Sequence, residues 1–107
     1  MNHSLIEESA NKYDLEYQNY LNGGWHRLSV KGANKFNGIL KLINITSSSL
    51  EEFAAFGDDF GDMEMISKCG VGVAMKNSQK EVLEIAPNVT LSNDEDGCAH
   101  FIENNLL

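Results

Sequence analysis

Residues 53–65 read FAAFGDDFGDMEM, an apolar run that ends in a glycine and passes at once into a cluster of carboxylates. The run is short and apolar enough for a buried strand, and a helix-like pattern begins at Met63. In open α/β sheets, ligands bind beyond the carboxyl ends of the strands. The segment therefore predicts an α/β fold with a cation site at one edge of its sheet.

Helix and strand patterns alternate along the rest of the chain. In order, the predicted elements are a helix after Asn34, a strand at 53–56, a helix from Met63 to Lys68, a strand at 71–75, a helix from Asn77 to Ala86, a strand at 88–91 and a helix at 99–106. Strands that alternate with helices form a parallel sheet with right-handed crossovers. We therefore expect parallel strands flanked by helices, in three layers, over residues 31–107.

The first 30 residues have a different pattern. Ser4 and Glu7 have the spacing of a capping box and start a helix that extends to about Tyr13. Two alternating runs then flank the turn signal at 22–24 (Asn-Gly-Gly) and predict a β-hairpin. We expect residues 1–30 to form a helix plus hairpin that is separate from the following α/β unit.

Composition excludes several classes of protein. The chain has 107 residues with a formal net charge of −8, so it is one domain or part of one and a poor nucleic-acid binder. No apolar run reaches membrane-spanning length and no signal peptide is present, which predicts a cytoplasmic protein without a membrane partner. Cys69 and Cys98 are too few for a disulfide scaffold or a paired-cysteine zinc site.

The carboxylate cluster is the first candidate site. Asp58 and Asp62 lie four residues apart, with Asp59 and Glu64 close by. Ionised carboxylates in one loop raise each other's pKa unless a cation neutralises them, and hard oxygen ligands suit Mg²⁺. A solvated acidic helix N-terminus, favoured by the helix dipole, is the alternative. The spacing alone leaves both interpretations open.

Lys35 is the second candidate, because it opens a helix at what should be the same sheet edge. An ammonium group there can bridge to an anionic substrate, although an isolated lysine is usually a surface residue.

The acidic segment 92–97, with Glu103, partly matches a calcium-binding loop. Ser92 occupies the first ligand position and a strand precedes the loop, which favours an acidic first turn of the last helix instead.

Four segments carry a family resemblance. They are ANK at 33–35, FGDDFGDMEM at 56–65, GVGVAMKN at 70–77 and TLSNDEDG at 90–97. In this order and spacing they resemble the C-terminal part of a Cof-type phosphatase, the haloacid dehalogenase subfamily with an α/β cap. The resemblance begins near Leu28 and implies part of a Rossmann-like haloacid dehalogenase core. It also implies that residues 1–30 are a remnant of the cap.

The resemblance implies a mechanism and a set of site residues. In the family an aspartate attacks the phosphorus of a phosphate ester, and water hydrolyses the aspartyl-phosphate, with Mg²⁺ between nucleophile and phosphate. Lys35 corresponds to the lysine that stabilises the charge of phosphate and nucleophile. Asp58 corresponds to the direct metal ligand and Asp62 to a second acidic residue that holds the metal directly or through water. The candidate supporting residues are Asp59, Asn77 and Asn93.

The chain departs from the family pattern at single positions. Gly61 stands where asparagine is usual, Lys76 where glycine is usual, and Ser78 where alanine is common. The chain also has no Asp-x-Asp-Gly nucleophile motif near its start. Its one Asp-Glu-Asp-Gly, at 94–97, belongs to the family's tail.

We therefore expect the metal- and lysine-bearing half of a Cof-like phosphatase, encoded by a truncated or deliberately shortened gene and inactive alone. Its partner would be a phosphorylated small molecule, provided that another chain completes the N-terminal half. The alternative is a non-catalytic interaction module. An exposed sheet edge and a bare apolar face recruit another chain, which predicts self-association through that edge.

Overall fold

A computed structural model describes residues 3–20 and 25–107, without the side chains of residues 3, 19, 20 and 25. The predicted turn at 22–24 lies outside the described residues. Contacts between Cα atoms divide the chain into two units, Met1–Ala33 and Asn34–Leu107. That the first unit is a cap remnant stays a prediction.

The first unit contains a helix and a hairpin. Helix α1 (His3–Lys12) precedes strands β1 (Leu15–Tyr20) and β2 (Trp25–Val30), which pair antiparallel. Ile6 and Ala10 are buried, as expected for neighbouring positions on one face of a helix. The helix and the antiparallel strand pair lie where the sequence pattern predicts them.

The second unit alternates helices and strands. The elements are α2 (Lys35–Thr46), β3 (Ala54–Gly57), α3 (Met63–Lys68), β4 (Val71–Met75), α4 (Lys80–Ile85), β5 (Asn88–Thr90) and α5 (Gly97–Phe101), with 3₁₀ turns at Leu50–Glu52, Phe60–Asp62 and Asn93–Glu95 and a π-helical segment at Ile102–Leu106. The three strands are parallel in the order β3-β4-β5. The predicted α/β fold with helices flanking parallel strands is confirmed.

The core of this unit lies against the middle strand. Val73 and Ala74 of β4 are fully buried, and so are Ile66 of α3 and Val82 of α4. Burial of an Ile or Val side chain contributes about 1.5–3 kcal/mol, so these helices are held to the sheet mainly by apolar contact. Among the described residues, every helix is too short or too polar to cross a bilayer.

Local signals set the start and end of α2. Asn34 is its N-cap, and its Oδ1 accepts a hydrogen bond from the backbone N–H of Asn37 at 2.8 Å. Ser47 ends the helix in the left-handed region with φ 55°. Lys35 therefore lies in the first turn of α2.

Three elements of the second unit begin at other residues than predicted. Helix α4 begins at Lys80 rather than at Asn77 or Ser78, because the Ser78 amide and hydroxyl both donate to the Met75 carbonyl and close a turn. Strand β3 begins one residue later than predicted, at Ala54. The last helix begins two residues earlier, at Gly97, and widens to π geometry from Ile102.

Candidate functional site

Apart from Lys35, the candidate residues lie at the carboxyl ends of the three parallel strands of the second unit. Asp58, Asp59 and Asp62 follow β3, Asn77 follows β4, and Asn93 follows β5. Because parallel strands end at the same edge of a sheet, the fold brings these three loops side by side. These five candidate residues therefore share one edge of the sheet.

Lys35 and Asp62 form an ion pair across 27 residues of sequence. The Lys35 Nζ lies 2.5 Å from Asp62 Oδ1, with the lysine side chain 65% exposed and the aspartate side chain 4% exposed. Asp62 Oδ2 accepts the backbone N–H groups of Asp58 at 3.0 Å and Asp59 at 3.2 Å. Both carboxylate oxygens of a buried aspartate are thus satisfied.

Both members of this pair are held in their charged forms. Burial alone would raise the pKa of Asp62, but the hydrogen bonds from Lys35 and from the two amides outweigh it, and the pKa is lowered from 3.8. The hydrogen bond to Asp62 raises the pKa of Lys35 above 10.5, against a smaller opposing effect of burial. At neutral pH the site therefore presents a fixed ammonium group.

Gly57 makes room for the buried carboxylate. A Cβ atom at this position would collide with the Cβ and carboxylate of Asp62. At Gly61, by contrast, a Cβ would meet no described atom within 4 Å. The space at residue 61 is consequently open to the asparagine that the resemblance leads one to expect there.

The two other aspartates of the loop have different roles. The Asp59 side chain accepts from the Phe60 backbone N–H at 2.7 Å and forms a reciprocal capping box with Asp62. Asp58 is exposed, and its carboxylate accepts no hydrogen bond from any residue that the structure describes. Asp58 is therefore the carboxylate of this loop that is available to a cation.

The two candidate asparagines contact each other across the next two loops. Asn77 Oδ1 accepts the backbone N–H of Asn93 at 3.1 Å. Asn77 thereby ties the loop after β5 to the loop after β4. This contact gives both residues a structural function at the site edge.

Ser78 is a residue of this edge that the sequence marked only as a departure from the family. Its hydroxyl lies 3.3 Å from the Gly57 carbonyl, and the neighbouring Gln79 N–H donates to the Asp58 carbonyl at 3.0 Å. A serine in the turn that follows a strand commonly bonds to the nearby backbone, as Ser78 does to Met75. Its contact with the Gly57 carbonyl, 21 residues away, cannot be inferred from the local sequence.

The aspartate oxygens of this loop are suitable ligands for Mg²⁺, but they do not complete its coordination. Magnesium is typically bound by one or two carboxylates together with water and phosphate oxygens. Asp58 offers such a carboxylate, whereas Asp62 already accepts three hydrogen bonds and suits contact through water. Within residues 3–20 and 25–107 no cluster of three or more His, Cys, Asp or Glu could hold a metal ion alone. The residues present therefore fit the metal with further ligands supplied from elsewhere.

The haloacid dehalogenase-like hydrolase family matches residues 3–102, and the chain belongs to this family. Its relatives place it in the Cof-type subfamily, as the four segments indicated. It is similar to phosphatase YwpJ of Bacillus subtilis, with 40% identity over 79 residues that cover 74% of this chain and 28% of the relative. It is also similar to 5-amino-6-(5-phospho-D-ribitylamino)uracil phosphatase YcsE of the same organism, with 33% identity over 103 residues, 96% of this chain and 41% of the relative.

The fold comparison agrees with the sequence comparison. A haloacid dehalogenase-like hydrolase from Bacteroides thetaiotaomicron superposes with a TM-score of 0.83 at 31% identity, over 94% of this chain and 38% of that protein. The chain thus spans well under half the length of each of these three relatives.

Proposed function

We propose that the chain is the metal- and lysine-bearing part of a magnesium-dependent phosphoric monoester hydrolase. One observation supports this most directly. A buried aspartate holds a protonated lysine beside an exposed aspartate that has no hydrogen-bond donor among the described residues. The substrate class would be a phosphorylated small molecule, as the name of YcsE, a 5-amino-6-(5-phospho-D-ribitylamino)uracil phosphatase, indicates for that relative.

Each side chain has a role that follows from its contacts. The exposed ammonium of Lys35, which Asp62 keeps charged, would offset the negative charge of a phosphate group. Asp58, with water, would hold the Mg²⁺ ion. When bound, that ion polarises the phosphate oxygens and offsets their repulsion of an anionic nucleophile. Asp62 keeps the lysine and the Asp58 backbone in place.

The 107 residues lack the nucleophile that this chemistry needs, so we propose that they do not turn over phosphate esters alone. The segment 94–97 matches Asp-x-Asp-Gly in letters, but it lies after β5 rather than near the start. A panel of sugar phosphates assayed with Mg²⁺ tests the proposal, with phosphate release at the buffer rate as the expected result. Phosphate release by the wild-type chain that is lost in Asp58→Ala would contradict the proposal. If release is instead lost in Asp94→Ala, residues 94–97 are the nucleophile segment.

A second candidate function is an interaction module that self-associates or receives a separately encoded N-terminal half. Strand β3 has a neighbour on one side only among the described strands, and Leu42 and Ile45 of α2 are 46% and 79% exposed. Open edges and apolar patches recruit further chains. Sedimentation velocity tests self-association, and a folded monomer at high protein concentration would argue against it. A reading frame upstream of Met1 that encodes Asp-x-Asp-Gly would favour the split enzyme.

A further inference from the structure

The backbone around Asp58 is held by four hydrogen bonds. On one side, Asp62 Oδ2 accepts the N–H groups of Asp58 and Asp59 at 3.0 and 3.2 Å. On the other side, the Asp58 carbonyl accepts from the Gln79 N–H at 3.0 Å, and the Gly57 carbonyl lies 3.3 Å from Ser78 Oγ as the more distant of the two carbonyls that share its single proton. The two peptide groups that flank Asp58 thus have all four of their polar atoms bonded.

These two peptide planes define the φ and ψ angles of Asp58. With both planes held, the direction of its Cα–Cβ bond is set before any ligand arrives. The carboxylate itself remains exposed and accepts no bond from a described residue. A metal ligand held in this way loses little conformational freedom on binding, which favours affinity.

Among the groups that bond to these two peptide planes, the Ser78 hydroxyl is the side-chain group that lies outside residues 57–62. Ser78 is half-buried, and its hydroxyl faces two carbonyls, that of Met75 at the end of β4 and that of Gly57 at the end of β3. The same turn is tied to the loop after β5 through Asn77. The turn at 76–79 therefore connects the carboxyl ends of all three strands.

We propose that Ser78 is a positioning residue for the divalent cation, acting through the Gly57 carbonyl on the orientation of the Asp58 carboxylate. This inference rests on the proposed function, because it assumes that Asp58 is the cation ligand. Removal of the hydroxyl is expected to weaken cation binding by about three- to tenfold, which corresponds to the loss of one neutral hydrogen bond.

The test is a titration of the 107-residue chain with Mn²⁺, followed by paramagnetic broadening of the backbone amide signals of residues 57–62. Wild type, Ser78→Ala and Ser78→Thr are compared, with Thr90→Val as the matched control. The Thr90 hydroxyl is buried and donates to the Gly97 carbonyl at 2.8 Å, outside residues 57–62. We expect weaker Mn²⁺ affinity in Ser78→Ala, recovery in Ser78→Thr, and wild-type affinity in Thr90→Val despite a similar loss of stability.

The outcomes separate this inference from the proposed function. If the wild type binds Mn²⁺ at residues 57–62 and Ser78→Ala binds equally well, the positioning role is wrong while the cation site stands. If Thr90→Val weakens binding as much as Ser78→Ala does, the effect is one of stability and the inference is likewise wrong. Absence of broadening at residues 57–62 in the wild type would overturn both. Should the alanine variant lose its folded spectrum, Ser78→Cys keeps the volume with a weaker donor and is expected to give the same loss of affinity.

Discussion

Two acidic loops at the same sheet edge have similar sequences and different structures. The first acidic loop, Gly57–Asp62, and the second, Ser92–Gly97, each follow a parallel strand and each carry three carboxylates. In the first, Asp62 is 3% exposed and bonded to a lysine and two amides. In the second, all three carboxylate residues are exposed. Both loops are acidic, but only the first has a buried carboxylate whose partners hold the loop in place.

The difference lies in where each carboxylate finds its partners. A buried carboxylate is costly unless charge and hydrogen bonds compensate it, so the environment of Asp62 requires Lys35 and the amides. In the second loop, the side-chain bond to a carboxylate that the described residues form is local, from Ser92 Oγ to Glu95 Oε1 at 3.0 Å. A cluster of carboxylates therefore becomes a candidate cation site when distant parts of the chain orient it.

The largest expected effect comes from removing the buried carboxylate. Asp62→Ala leaves two partly buried amides without acceptors and Lys35 without its partner, so we expect the free energy of unfolding to fall by about 3 kcal/mol. The exposed Lys35 contributes little to this loss because solvent screens it. Urea denaturation measures the change. Asp94→Ala in the second loop is the control, and its free energy of unfolding should move by no more than about 0.5 kcal/mol.

The second effect tests the space that Gly57 provides. Gly57→Ala places a methyl group against Asp62, and we expect a loss of about 1–3 kcal/mol from overpacking. Gly61→Ala is the matched control in the same loop, since its methyl group meets no described atom within 4 Å and its φ is not positive. That variant should be unchanged or more stable by about 0.4–1 kcal/mol. Equal behaviour of the two variants would argue against a close approach of Asp62 to residue 57.

The third effect is the pH dependence of the ion pair. The lowered pKa of Asp62 contributes stability above pH 3.8 that is lost as the pH falls below this value. The raised pKa of Lys35 contributes stability below pH 10.5 that is lost as the pH rises further. Lys35→Met should therefore reduce the free energy of unfolding by about 1 kcal/mol between these limits, and the difference from wild type should shrink beyond them.

Lys31 supplies the comparison for this experiment. Its ion pair with Asp14 has the same length, 2.5 Å, but both partners are well exposed. Urea midpoints measured from pH 3 to pH 11 should not change in Lys31→Met. A pH-dependent loss in that variant as large as in Lys35→Met would show that the burial of Asp62 is not the cause.

The smallest effect is expected in the second acidic loop. The triple variant Asp94→Asn, Glu95→Gln, Asp96→Asn removes all its charges while keeping a residue that tolerates the positive φ of 55° at position 96. We expect a change in stability within about 0.5 kcal/mol and unchanged Mn²⁺ affinity. A marked loss of Mn²⁺ binding would move the candidate cation site to the second loop.

Much of the fold follows from local pattern. The order of helices and strands, the hairpin and the start of α2 at Lys35 agree with the structure, because apolar periodicity and capping residues act within a few positions. The predicted start of α4 was wrong because Ser78 and Gln79 bond to carbonyls of β4 and the first acidic loop instead of opening a helix. Those partners lie in other elements, where no helix propensity can indicate them.

The sequence alone established the α/β class, the family and the three candidate residues Lys35, Asp58 and Asp62. Residue type and spacing were sufficient for that, since strand ends and carboxylate clusters are visible locally. Tertiary structure decided which carboxylate is buried against the lysine, which is exposed, and that Ser78 and Gln79 hold the intervening backbone. These contacts join residues 21 and 27 positions apart, and their energies depend on burial, which exists only once the sheet and helices have assembled.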